Sequence, residues 1–384
     1  MTVAIAAFNS ISVAISTDTF SYTRGNVFYS GGKIYPLSSQ NVPVVAVVTG
    51  NTYICGFPMV YFIRKYAAKN KVFGKLEEYV VDFEEYLKTE IPKVCSTELQ
   101  IARNISYYLC YYKDFLSIKL ASEQFIPWPD IYKQEKRFWC KQKNLRGISR
   151  EPDLNDYINE QIIEYSRQLG LQTDKQIKQG MELFKQVVSK EPHEDFYQYL
   201  CSFSLLPKVF ILGFGDKEIY PSAYRLIIYS VYFSQMWSRR EALFMGSGES
   251  SAKLLVLSPE YSDILNPFVL GFSESMEYKV YKLFDKVINT LSVRISDPKR
   301  RNTLKDKLTR YVHDSLMTYK NDYKSDLEER LNTFLPIQLA NFTKALVSLL
   351  LQDPRVELGQ RIVFHDHPVE TVSLSHSYGV RIIQ

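Results

Sequence analysis

Four residues near the start of the sequence, Thr2, Asp18, Lys33 and Gly50, have the types and the order that attack on an amide carbonyl requires. With Met1 removed, Thr2 carries a hydroxyl and a free α-amine on one residue, so nucleophile and base come together. The α-amine ordinarily titrates at about 7.7–8.0, close enough to neutrality to take the hydroxyl proton directly or through one water. A lysine cation beside that hydroxyl lowers its pKa and, by repulsion, favours the neutral amine; this is the role expected of Lys33. Asp18 is expected to orient and compensate the Lys33 ammonium. Gly50, lacking a side chain, lets a substrate carbonyl approach the main chain and offers its N–H to a developing oxyanion. Taken singly these are ordinary residues, since a small residue after methionine is common and charges at strand ends are mostly solvated. Their order, together with the elements around them, carries the reading.

Those elements must hold a chain terminus rigidly. Thr2–Phe8 and Ser12–Ser16 are small and β-branched with Asn9-Ser10 between them, which predicts a buried hairpin. Lys33-Ile-Tyr-Pro and Val44-Val-Ala-Val-Val read as strands, closed by Gly50-Asn51. Apolar residues at helical spacing predict helices over 53–69 and 76–90. From about 93 to 205 the pattern is helical, rich in Tyr, Lys, Glu and Gln, and punctuated by Pro127-Trp-Pro129 and Pro152. Strands return at Lys208–Gly213, Ala223–Tyr229 and Leu243–Met245. Gly246-Ser-Gly248 then suits a sharp turn from strand to helix, with Ser247 either supporting the site or capping that helix. A second helical stretch runs over about 274–351, and Val369–Leu374 and Gly379–Ile383 read as two closing strands. Strand pairs interleaved with helical blocks imply an α+β protein of stacked layers.

Composition narrows the function classes. The 47 Lys and Arg against 42 Asp and Glu leave a charge of +5 spread over 384 residues, and acidic residues interleave the Tyr- and Lys-rich segment, so no nucleic-acid partner is expected. Five cysteines without a CxxC pair suit reduced thiols in a cytoplasm, and no membrane association is expected: LANFTKALVSLLLQ, the most apolar stretch, is broken by Lys344. The opening residues lack the basic flank of a signal peptide. His365-Asp366-His367 would need further metal ligands from elsewhere and reads as a surface loop, so neither metal nor cofactor is expected. Gly213-Phe-Gly215 lacks the third glycine of a dinucleotide fingerprint and reads as a turn.

TVAIAAFNSISVAISTDTF, GGKIYPL and VVAVVTGN resemble the N-terminal part of proteasome β subunits and their bacterial HslV-type relatives, which are N-terminal nucleophile (Ntn) hydrolases. VFILGFGDKEIYPSAYRLII, ALFMGSGESSAKLLV and HPVETVSLSHSYGVRII look like that family's later strands, its Gly-Ser-Gly turn into a helix and its closing hairpin. The resemblance implies a four-layer αββα sandwich with core segments at 1–92, 206–258 and 335–384 and helical insertions at 93–205 and 259–334. It also implies an N-terminal threonine peptidase acting through an acyl-enzyme on Thr2. Asp18, Lys33 and Ser247 would support the nucleophile, Gly50 would hold the oxyanion, and Val48 would line the pocket for the residue before the scissile bond. A peptide or protein substrate with an apolar residue there is expected, as is a homo-oligomer, while an ATP-dependent unfoldase partner is left open by the sequence. Two departures stand out. The helical insertions are foreign to the compact family, and its second supporting aspartate and serine have no clear counterpart, Asp353 being the nearest. The alternative is therefore a catalytically weak or inactive subunit serving assembly or partner binding.

Overall fold

The computed structural model describes residues 3–23, 26–29, 32–37, 42–54, 56–94, 206–232, 235–248, 251–258, 261–271, 273–292, 297–352 and 369–383, with a few helical positions between 132 and 183. Strands β1 (Ala4–Phe8) and β2 (Ser12–Asp18) form the opening antiparallel hairpin. Its turn is organised by Asn9, whose Oδ1 accepts the Ile11 and Ser12 amides at 3.2 and 2.9 Å. Two short hairpins follow, one from β3 (Phe20–Thr23) and β4 (Asn26–Tyr29) and, beyond β5 (Ile34–Pro36) and β6 (Val44–Gly50), one from β7 (Tyr53–Ile54) and β8 (Phe57–Pro58). Helices α1 (Met59–Ala67) and α2 (Leu76–Val94) come next. The helix expected over 53–69 thus begins only at Met59. Gly56, at φ 83°, turns the chain left-handed and Pro58 caps the helix, so the residues before it pair as strands instead.

Later in the chain lie β9 (Pro207–Gly213), β10 (Ser222–Tyr232), β11 (Gln235–Met245) and β12 (Lys253–Val256). Helices α3 (Ser262–Val269), α4 (Glu274–Ser292), α5 (Pro298–Thr333) and α6 (Pro336–Gln352) precede the closing hairpin of β13 (Val369–Ser375) and β14 (Gly379–Ile383). The continuous helical pattern of 274–351 is divided where Pro298 and Pro336, which cannot donate an N–H, each start a new helix. Asp297 caps α5 by accepting the Lys299 amide at 2.9 Å.

Among the described residues the strands build two five-stranded antiparallel sheets, ordered β12-β1-β2-β13-β14 and β11-β10-β9-β6-β5, and the two small hairpins. This establishes an α+β protein with antiparallel sheets. Alternation along the strands decides what each face touches. Ala4, Ala6, Phe8, Val13 and Ile15 of the first sheet meet Val45, Val47, Phe210 and Leu212 of the second in one buried cluster, so the sheets pack face to face. The other face of the second sheet, with Val44, Ala46, Val209 and Leu226, is covered by Phe62, Tyr79, Phe83 and Leu87 of α1 and α2. The other face of the first sheet packs Ile5 against Leu265 of α3 and Val347 and Leu350 of α6. Burial on both faces explains why β1 is AIAAF, without a polar residue. Each fully buried Val, Leu or Phe side chain contributes roughly 1.5–3 kcal/mol relative to exposure.

Helix α5, with 36 residues, is about 54 Å long at the ordinary rise of ~1.5 Å per residue. Only Val312 and Leu331 are buried along it. Leu331 joins Ala7 and Ala14 under the first sheet, whereas Val312 lies far up the helix beside α4. At the root, Asn9 Nδ2 donates to the Phe334 carbonyl at 2.9 Å, fastening the end of α5 to the β1–β2 turn.

Candidate active site

Thr2 lies outside the described residues, but Val3, its neighbour in the chain, is buried and doubly tied. Its N–H donates to Asp18 Oδ1 at 2.7 Å, and its carbonyl accepts the Asp18 N–H at 3.0 Å. Asp18 ends β2, fully buried. Lys33 stands just ahead of β5 on the edge of the other sheet, 4% exposed, and its Nζ donates to both Asp18 oxygens at 2.9 Å. The ion pair therefore bridges the two sheets at the point where the chain start enters the first.

Burial dominates the electrostatics. It pushes the Lys33 ammonium below the ordinary lysine value, with Asp18 pulling back, and pushes the Asp18 carboxyl up, opposed by Lys33 and the Val3 amide. A cation so withdrawn from water is poised to influence any hydroxyl beside it more strongly than a solvated lysine would.

The loop that delivers Lys33 is held by Glu370 on β13, which sits opposite Thr17 in register. Glu370 Oε2 accepts the N–H groups of Lys33 and Ile34 at 2.7 and 3.2 Å. Gly32 leaves room for this carboxylate, since a Cβ there would come within 2.3 Å of Glu370 Oε1 and the glutamate would have to shift. Ser258, 1% exposed just past β12, accepts the Ala4 N–H on its Oγ at 3.1 Å. Neither residue was marked by sequence motif. Glu370 reads as an ordinary polar position in an alternating strand, and Ser258 follows an apolar run without a glycine turn. Thr17, adjacent to Asp18, has a buried Oγ1 without a hydrogen-bond partner.

Gly50 ends β6 at φ 72°, a left-handed conformation that favours glycine. Ile34 lies opposite Val47, so the segment ahead of β5 and the end of β6 share one end of the second sheet. Asp18, Lys33, Val48 and Gly50 thus gather at that end. Val48 is 3% exposed and its side chain belongs to the cluster beneath α1 and α2.

Ser247 is placed elsewhere, and the helix expected after it is absent. Met245 pairs with Ser222, Ser222 with Gly213, and Gly213 with Val44, which puts the Gly-Ser-Gly turn at the opposite end of the sheet from Gly50. Ser247 is exposed, its N–H donates to Ser251 Oγ at 3.1 Å, and the chain continues into a strand. The reason lies in KLLV, residues 253–256: its apolar residues pair with β1 and extend the first sheet, a better burial than a short surface helix. That strand then carries Ser258 to the Val3 end, where Ser247 had been expected.

Asp353 and His365-Asp366-His367 lie outside the described residues. Among the described residues no group of three metal-ligating side chains gathers, and no helix is long and apolar enough to cross a membrane. No protein-family model matches the chain, and no curated protein matches it either.

Proposed function

We propose that the chain is an N-terminal-threonine amide hydrolase of the Ntn type, a peptidase built on a proteasome-like αββα sandwich. One observation carries this reading: a buried Asp18–Lys33 pair whose carboxylate also grips the Val3 amide. Adjacent Cα atoms are about 3.8 Å apart, and Thr2 is the residue bonded to the amide that this carboxylate grips. Once the residue ahead of Thr2 is removed, its α-amine accepts the hydroxyl proton and the oxygen attacks the substrate carbonyl. Lys33 stabilises the forming alkoxide, and the Gly50 N–H receives the oxyanion. The amine then passes its proton to the leaving nitrogen, and water releases the acyl group by the same route in reverse. Asp18 fixes Lys33, Glu370 fixes the loop of Lys33, and Ser258 secures the backbone two residues after Thr2.

The layered packing of helix, sheet, sheet and helix supports the fold reading. Preference for an apolar residue before the scissile bond rests on the resemblance at Val48 alone, since its side chain packs in the core beneath α1 and α2. A peptide epoxyketone tests the mechanism, because a stable ring adduct needs both the hydroxyl and the free amine of one residue. The expected result is a single adduct on a chain whose intact mass lacks Met1, and none on Thr2→Ala. Retention of Met1, or no adduct on either protein, overturns it.

The exposed position of Ser247 favours a second reading, a subunit of this fold that folds and assembles without turnover. Absence of the adduct from a chain that has lost Met1 would select it.

A further inference from the structure

Lysines are among the residues least often buried, yet a second one besides Lys33 is enclosed at this end of the sandwich. Lys208, on β9, is 2% exposed. Val209 and Ile211 pack beneath α1 and α2, whereas Phe210 and Leu212 pack between the sheets, so the alternation of the strand turns Lys208 to the inter-sheet side. In register it stands opposite Thr49 of β6, and the next pair, Pro207 and Gly50, ends the ladder. Thr49 Oγ1 donates to the Leu257 carbonyl at 3.4 Å, and the Leu257 N–H donates to the Ala4 carbonyl at 2.9 Å. Thr49, and Lys208 beside it, are therefore level with the head of β1. Ile34 lies opposite Val47, so Lys33 stands on the far side of β6 from Lys208. Two strand spacings separate the main chains of the two lysines, roughly 10 Å.

A charge in that place costs desolvation that an apolar residue continuing the Phe210–Leu212 row would not. β10, the strand beside it, carries Arg225, which donates from Nε to Glu241 at 2.9 Å, and the buried Tyr229. β6 sets Val47 and Thr49 between the sheets, neither of them charged. From β2 comes Asp18, already engaged with Lys33 and the Val3 amide, and from β13 comes Glu370, engaged with the amides of Lys33 and Ile34. We propose that Lys208 is a positioning residue of the candidate active site: with Lys33 it sets a cation on either side of β6, so that the Thr2 α-amine stays neutral and ready to accept the hydroxyl proton, a role that rests on Thr2 being the nucleophile. Like charges disfavour the protonated form of an amine, and between two packed sheets they act over a longer distance than in water. Reaction then persists below the ordinary α-amine range of about 7.7–8.0.

The test follows the rate of epoxyketone adduct formation on the full chain by intact mass, from about pH 5.5 to 9. Because the adduct needs the neutral amine, the rate falls on the acid side along a limb that reports that amine. In the native chain the midpoint of this limb is expected below about 7.7. Lys208→Met, close in length but uncharged, should raise it by roughly half to one pH unit, which slows the reaction about three- to tenfold at pH ~6.5 and leaves the alkaline plateau unchanged. Lys208→Arg, which keeps the charge, should return the limb to its native place. Lys208→Gln, which retains a donor, carries the same expectation as Lys208→Met should the latter fold poorly. An acid limb at the same pH in the native chain and the neutral variants overturns the role of Lys208 and leaves the Thr2 reading standing. A rate lowered evenly at every pH, or failure of both neutral variants to fold, makes Lys208 a structural residue and overturns it as well. No adduct on the native chain at any pH removes the Thr2 reading itself, and the role of Lys208 with it.

Discussion

Between the two sheets, Lys33 and Asp18 are withdrawn from water and hydrogen-bonded to each other, with the Val3 amide also on Asp18; along α4 and α5, pairs such as Lys305–Asp285 and Lys324–Glu328 remain at the surface. Surface pairs of that kind are worth roughly 0–1 kcal/mol, and the hairpin tolerates many because none decides its stability. A buried pair is different in kind, because desolvating two charges consumes most of what their attraction returns. Apolar residues of similar size would hold the sheets together at least as well. The pair is therefore better explained by what it does to a group beside it than by what it adds to folding.

The largest effect that would sharpen this contrast comes from breaking the pair on one side. Lys33→Ala leaves the Asp18 carboxyl buried and uncompensated and should cost about 3–5 kcal/mol in urea denaturation, against no more than about 0.5 kcal/mol for Lys305→Ala. Asp18→Asn/Lys33→Met, which keeps an acceptor for the Val3 amide, should recover most of that stability and none of the epoxyketone adduct. If the double variant is as unstable as the single one, the pair is structural and the contrast fails.

Next in size is Glu370→Ala. It strands the Lys33 and Ile34 amides and should lower stability by roughly 1–3 kcal/mol. Glu370→Gln, which retains an acceptor oxygen, should restore it. Because Glu370 positions Lys33 through the loop, the adduct should form more slowly in the alanine variant and its rate should recover with glutamine.

The pH dependence has a definite sign. Lys33 titrates below its ordinary 10.5 in the folded chain, so between those two values the unfolded chain holds a proton the folded one has shed. Stability should rise with pH across that window, by at most about 1.4 kcal/mol per unit. Asp18 titrates above its ordinary 3.8, so its contribution falls as pH rises from there to the folded-state value. Both trends should be present in the native chain and missing from Asp18→Asn/Lys33→Met when urea midpoints are compared at a series of pH values.

The smallest expected effect is a gain. Thr17→Val removes a buried hydroxyl without a partner and should stabilise by about 1 kcal/mol. A loss would show that this hydroxyl has an interaction the Asp18–Lys33 centre depends on.

The part of this centre that was readable in the sequence is the part made by local pattern. Buried small and β-branched runs announce β1, β2 and β6, a glycine at the end of β6 announces its turn, and Asp18 and Lys33 follow from their places at strand boundaries. Ser247 misled because a Gly-Ser-Gly turn is the same whether a helix or a strand follows, and KLLV is too short for its period to decide. The choice was made by an unfilled edge beside β1, roughly 250 residues away in the chain, at Ile5↔Val256 and its neighbours. Glu370 was invisible for a similar reason. Its role exists only because β13 lies beside β2 and brings the carboxylate across to the other sheet's Lys33. Contacts between sheets leave no period in either strand.

Asn9 gives the molecule a mechanical property. Its amide fastens the foot of the long α5 rod to one end of a five-residue strand, and at that strand's other end Val3 is bonded to Asp18. A load placed on the far tip of the rod is thus delivered, through a short and unyielding strut, to the doorstep of the charged pair.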